Sequence, residues 1–138
     1  MISFTDDPFI LATQLIEPSY VSFSSALYLR GVVQQVPVSV IECVTTKNSF
    51  KLSEPRIEYH RIVPELYFSY ERMERYGSYV WVATPEKAVL DMVYFGHEYK
   101  LLERSLSRQK LMELALPYFT HGGNRGKRVK KWVERFAK

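Results

Sequence analysis

Three short segments punctuate this chain where an extended stretch gives way to a helix or a turn. They constrain the fold more than the composition does. They are Pro18-Ser19-Tyr20-Val21-Ser22 running on to Gly31, Val44-Thr45-Thr46-Lys47, and Ala83-Thr84-Pro85-Glu86-Lys87-Ala88 running on to Asp91. In the third, Thr84 offers an N-cap oxygen and Pro85 suits the first helical position. Glu86 sets a carboxylate against the positive end of the helix dipole. Lys87 occupies the third position, so the reciprocal capping box is absent. Ala88, Val89, Met92 and Val93 are expected to form the buried side of this helix, and Gly96 to end it. In the first segment, Ser22 or Ser24 caps a helix over Ser25–Arg30, and Gly31 closes it in the left-handed region.

The rest of the chain fits around these junctions. Asp7-Pro8 begins a helix with the apolar stripe Phe9, Ile10, Ala12, Leu15 and Ile16, which Pro18 stops. Strands are expected over Val38–Thr45, over Arg56–Val63 where apolar and polar residues alternate, over Leu66–Tyr70 and over Tyr79–Ala83. Glu71–Ser78 is polar, contains Gly77 and reads as a turn. A second helical region is expected over Tyr99–Leu116, with Ser105-Leu106-Ser107 as an open question inside it. Gly122-Gly123-Asn124-Arg125-Gly126 reads as a flexible connector. Beyond it, Val129, Trp132, Val133 and Phe136 recur at i, i+3, i+4 and i+7, an amphipathic helix with a basic outer face. The fold class is therefore α+β, with a mostly antiparallel sheet of about four to five strands flanked by helices and a helical C-terminal region. Residues 1–121 form the α+β domain. Residues 122–138 form the glycine-rich connector and basic helix, docked on the same domain.

Charge is unevenly placed. The formal net charge of the 138 residues is +4, yet residues 124–138 hold seven bases and one acid, a local +6, and the remainder carries −2. Such asymmetry points to an anionic partner. Arg125, Lys127, Arg128, Lys130 and Lys131 are the candidate nucleic-acid-binding residues. The alternatives for this face are a solvated outer surface, with Trp132 and Phe136 anchoring the helix, or contact with a nucleic acid or an acidic protein surface. Cys43 is the lone cysteine, which excludes an intramolecular disulfide and fits a cytoplasmic protein. No run of apolar residues is long enough to span a membrane.

Catalytic signatures are sparse. No GxGxxG, GxxxxGK[ST] or GxSxG occurs. His60, His97 and His121 are scattered without a cysteine partner pattern and read as unrelated surface or structural histidines, so no metal or other cofactor is expected. Cys43 lies in an apolar strand and reads as a small core residue. Lys87 and Asp91 stand four apart on one helix face and are expected to form a surface ion pair. A nuclease or transferase relic built on Glu86 and Asp91 is the weakest of the functional readings.

The order of the segments resembles the C-terminal domain of AbiEi-type antitoxins. The residues that carry the resemblance begin with Tyr20-Val21-Ser22, Ser25-Ala26-Leu27 with Gly31, and Val44-Thr45-Thr46-Lys47. They continue with Tyr59 through Ile62, Glu65-Leu66-Tyr67-Phe68-Ser69-Tyr70-Glu71, and Ala83 through Asp91. Together they span roughly residues 7–95. The resemblance implies a regulator of a type IV toxin–antitoxin system. In that family an N-terminal winged helix binds operator DNA as a transcriptional regulator, and the C-terminal domain opposes a nucleotidyltransferase-like toxin. It implies no catalytic residues. Only six residues precede Asp7, so the expectation is a domain acting without the winged helix. Its partners would be DNA or RNA through the basic helix, with a functional link to such a toxin.

Overall fold

The computed structural model describes residues 7–33, 40–97 and 106–136. Among them the chain forms α1 (Pro8–Leu15), β1 (Ser19–Val21), α2 (Phe23–Leu29), β2 (Ile41–Thr45), β3 (Phe50–Ser53) and β4 (Arg56–Arg61). A single 3-10 turn (Pro64–Leu66) follows, then β5 (Tyr70–Arg75), β6 (Ser78–Ala83), α3 (Pro85–Tyr94), α4 (Arg108–His121) and α5 (Gly123–Phe136). The α+β class holds. The sheet has six strands, in the order β3-β4-β2-β1-β6-β5, against the four to five expected. It is mixed: β1/β2, β3/β4 and β5/β6 pair antiparallel, while β1/β6 and β2/β4 pair parallel.

The cap chemistry behaves as its residues dictate. The Asp7 carboxylate accepts from the Ile10 amide and the Thr84 hydroxyl from the Lys87 amide. Pro8 and Pro85 open their helices, and Gly31 and Gly96 leave theirs at φ 75° and 83°. Ser22 stands at the N-cap of α2 but makes no capping hydrogen bond. Its hydroxyl donates instead to Asp91 of α3.

Three expectations are corrected. Leu66–Tyr70 is not a strand: Leu66 ends the 3-10 turn and the extended run begins only at Tyr70. The expected turn over Glu71–Ser78 is mostly strand β5, which pairs with β6 down to Arg75 opposite Ser78. Tyr76 and Gly77, at φ 46° and 75°, supply the two positive dihedrals that a two-residue type I′ hairpin requires. An edge strand covered on one side tolerates Glu71, Arg72, Glu74 and Arg75, and those charges discourage further strand addition. The short edge strand β3, also exposed, was not expected at all. Finally, Gly122–Gly126 is no flexible connector. Gly123 begins α5, and a Cβ on either Gly122 or Gly126 would collide with the Tyr118 carbonyl oxygen. The glycines let the two helices meet at a tight corner.

Other boundaries shift: the helix expected over Ser25–Arg30 runs over Phe23–Leu29, and the strand expected over Arg56–Val63 ends at Arg61. The strand expected over Val38–Thr45 runs from Ile41, with Val38 and Ser39 outside the described residues. Of the helical region expected over Tyr99–Leu116, the part through Ser105 lies outside them too. Ser107 caps α4, its hydroxyl accepting from the Lys110 amide, and the helix continues past Pro117 to His121.

Strand alternation divides the core into layers. Tyr20, Val44 and His60 stand opposite one another across β1, β2 and β4, so they share one face of the sheet. On that face the Tyr20 hydroxyl reaches α3 and the His60 ring stacks on Phe23 of α2. Tyr59, one place along, points the other way and donates to the Ala12 carbonyl of α1. Helices therefore cover both faces. α4 and α5 pack on the far side of α3, with Leu111, Ala115, Val129 and Val133 buried in the same continuous core as Leu90 and Val93.

Candidate functional site

The polar residues that the sequence placed together, Glu86, Lys87 and Asp91, lie in α3, and the structure puts them inside the protein. Lys87 and Asp91 form an ion pair of 2.7 Å in which both side chains are wholly inaccessible to solvent. This corrects the expected surface pair. Spacing fixed the shared helix face, but that face is roofed by the end of α4 and floored by β1. The network around the pair is complete. Lys87 Nζ also donates to the Leu66 carbonyl at 2.7 Å and to the Tyr118 hydroxyl. Asp91 Oδ2 accepts from the hydroxyls of Tyr20 and Ser22, each at 2.8 Å, and Oδ1 accepts from Tyr118 at 2.5 Å. The rings of Phe68 and Tyr118 stand 4.5 and 4.6 Å from the ammonium, near enough for cation–π attraction.

These contacts set the proton affinities. Burial lowers the Lys87 pKa, and the attraction and hydrogen bond of Asp91 work against that shift. Burial raises the Tyr20 and Tyr118 phenols well above their ordinary value, and the neighbouring Asp91 charge raises them further. Glu86 is held differently. It accepts from the Ser107 amide at 2.9 Å and lies 3.8 Å from Lys110 Nζ, tying the start of α3 to the start of α4. Every polar group on this face of α3 thus has a partner that belongs to the fold. Tyr118, Tyr20 and Ser22 were not foreseen as partners, because each comes from a distant part of the chain.

His60 and His97 are not unrelated. Phe23 stacks on the His60 ring at 4.9 Å and meets His97 edge-on at 5.0 Å, with the two imidazoles 6.2 Å apart and Phe95 alongside. His60 Nε2 stands 3.6 Å from Glu42 Oε2. Phe23 holds φ at 55°, an unusual value for an aromatic residue, to enter this cluster. His121 is exposed at the end of α4, far along the chain from the others. Among the described residues no group of three His, Cys, Asp or Glu is placed to hold a metal ion. Cys43 is buried, and burial pushes its thiol pKa up, the opposite of an activated thiolate.

The basic helix docks on its own domain. Val129 and Val133 are buried, Trp132 and Phe136 half-buried and stacked at 5.2 Å. The basic outer face expected opposite Trp132 does not hold all five candidate bases. Arg125 lies over the rings of Tyr94 and Phe95 at 5.7 and 5.4 Å, and Arg128 reaches the Tyr94 carbonyl. Both arginines therefore flank the end of α3. Lys127, Lys130 and Lys131, with Arg135, form the outer face, and among the described residues none of the four has an ion-pair partner. Beside this face, α4 leaves Met112, Leu116 and Phe119 exposed. Their i, i+4, i+7 spacing was available in the sequence. Their exposure was not, since it depends on where α5 lands.

No protein-family model matches this chain, and no curated protein matches it. No helix among the described residues is long and apolar enough to cross a membrane.

Proposed function

We propose that this chain is a non-enzymatic regulatory domain that acts by binding a macromolecule through α5. The resemblance to AbiEi-type antitoxin C-terminal domains gives that role a specific form, opposition to a nucleotidyltransferase-like toxin of a type IV system. One contrast carries the reading. The residues most suited to chemistry, Lys87 and Asp91, are sealed in the core with every partner supplied by the fold, while cationic charge with no ion-pair partner among the described residues collects on the exposed face of α5. A general acid or base must reach its substrate. A binding surface needs only exposure and complementarity. The test is growth rescue: the chain is co-expressed with a nucleotidyltransferase-like protein encoded beside its gene. Relief of growth arrest is expected, and loss of relief when Lys127, Lys130 and Lys131 are all changed to glutamate. Unrelieved arrest by the intact chain overturns the antitoxin reading.

A second reading, binding of nucleic acid through the same helix, is favoured by Lys127, Lys130 and Lys131, which are exposed and have no ion-pair partner among the described residues. Its measure is the salt dependence of duplex binding. The slope of log K against log salt should fall by about 0.9 for every phosphate the helix no longer neutralises. A slope unchanged by neutralising the three lysines excludes this helix as the DNA-binding element.

A further inference from the structure

A groove runs between α4 and α5, with a volume of about 740 Å³, and its lining combines two chemistries. Met112 and Phe119 of α4 and Val133 of α5 make an apolar floor. Lys130, Lys131 and Arg135 stand on the α5 side, against a single acid, Glu134. Leu116 lies on the same stripe of α4, one turn from Met112 and one from Phe119, and is 60% exposed. Met112 and Phe119 are each 38% exposed. From Met112 to Phe119 the stripe extends about 10 Å, two turns of helix. Singly exposed apolar residues need no explanation, but a stripe of three beside a cationic rim does.

We propose that this groove receives an amphipathic helical segment of a protein partner, with apolar residues seated on Met112, Leu116 and Phe119 and acidic residues facing Lys130, Lys131 and Arg135. The inference rests on α5 being a binding surface and adds the class of partner. Charge complementarity selects an acidic segment over a basic one. The apolar stripe selects a protein over a nucleic acid: phosphates would satisfy the lysines and arginine while leaving Met112, Leu116 and Phe119 uncovered. A second copy of this chain fits poorly, because a twofold contact would set one cationic face against another. Helix-in-groove recognition works through anchors spaced i, i+4 and i+7, and this stripe offers the matching surface.

The test uses the full chain and three fluorescent probes. One is a helical peptide about four turns long with leucines at i, i+4 and i+7 and glutamates on its flanks. The others are the same peptide with lysines for glutamates, and a short DNA duplex. The acidic peptide is expected to bind, and the basic one not. Leu116→Asp and, separately, Met112→Asp should weaken acidic-peptide binding about tenfold or more, while Lys130→Glu with Arg135→Glu should weaken it and flatten its salt dependence. Leu116 and Met112 are exposed enough for both variants to fold, which circular dichroism and a thermal melt verify. Acidic-peptide binding that ignores Leu116→Asp and Met112→Asp overturns the groove and leaves the cationic surface standing. Duplex binding without peptide binding, abolished by changing Lys127 and Lys131, overturns the proposal in favour of nucleic acid. Concentration-dependent dimerisation abolished by Leu116→Asp assigns the groove to a second copy and also overturns it. If no probe binds, the groove proposal and the reading of α5 as a binding surface both fail.

Discussion

The lysine of α3 and those of α5 are used in opposite ways. In α3, Lys87 is wholly buried and shares its charge with one carboxylate, one carbonyl and one phenol. In α5, Lys127, Lys130 and Lys131 stand in solvent with no acid of the described residues paired to them. The first lysine, with Asp91, ties together α3, α4, β1 and the 3-10 turn at Leu66. It was taken out of water at a cost of several kcal/mol, and the completed network offsets that cost. The second set costs the fold almost nothing and is available to a partner. Similar side chains at similar helical spacings thus serve architecture in one place and recognition in the other. The difference is what lies over the face.

The sharpest way to break this comparison is to remove one member of the buried pair. Asp91→Ala leaves the Lys87 ammonium and the hydroxyls of Tyr20, Ser22 and Tyr118 without their shared acceptor. The expected loss is about 3–5 kcal/mol, a large part of the ~5–15 kcal/mol that holds a domain of this size together. Chemical denaturation of the variant measures it. The double change Lys87→Met, Asp91→Leu removes both charges and should be less destabilising than Asp91→Ala, because no unpaired charge remains in the core. If Asp91→Ala melts like the parent, the network does not tie these elements together.

Alkaline pH probes the same region next. Tyr20 and Tyr118 have raised pKa values in the folded protein through burial and the Asp91 charge. Burial also raises Tyr59, Tyr67 and Cys43. A group whose folded pKa is raised holds its proton in the native state after the unfolded chain has released it. Its contribution is complete below the unfolded pKa, ordinarily 9.0 for the thiol and 10.0 for the phenols, and is lost as pH climbs above that value. Lys87, whose folded pKa is lowered, has the reverse sign between its folded value and 10.5. One group opposes five, so stability should fall steeply from about pH 9 upward. A melting temperature that stays level to about pH 11 contradicts the described burial of these tyrosines.

Much of the architecture was legible because it rests on local chemistry. Asp7-Pro8, Thr84-Pro85, Gly31 and Gly96 act through their own neighbours, so the ends of α1, α2 and α3 could be read directly. Strands β2 and β6 were legible from their apolar runs and β4 from its apolar–polar alternation. β5 was not, since Glu71-Arg72-Met73-Glu74-Arg75 lacks the apolar alternation of a half-buried strand and its edge position is decided by β6. Its hairpin hid in Tyr76-Gly77, where a tyrosine occupies a position that usually holds Asn, Asp or Gly. The site was less legible than the fold. Spacing placed Lys87 and Asp91 on one face, and nothing local revealed that Tyr118, 27 residues beyond Asp91 in sequence, would close over them. Six bases on the last helix could be counted. That Arg125 and Arg128 would turn toward Tyr94, leaving the lysines and Arg135 as the outer face, depended on the corner made by Gly122 and Gly126.

The smallest expected effect completes the contrast. Changing Lys127, Lys130 or Lys131 singly to alanine should move the melting temperature by no more than about 2 °C, since each is exposed and makes no ion pair within the described residues. The direction should favour stability slightly. Seven bases and one acid crowd residues 124–138, and removing one cation relieves repulsion between neighbours on the helix. Added salt should shrink that gain by screening the same repulsion. Differential scanning fluorimetry at low and high salt separates the cases. A destabilisation of many degrees from any of these lysines would mean that it is tied into the fold as Lys87 is. The division between a lysine that builds and lysines left free to bind would then not hold.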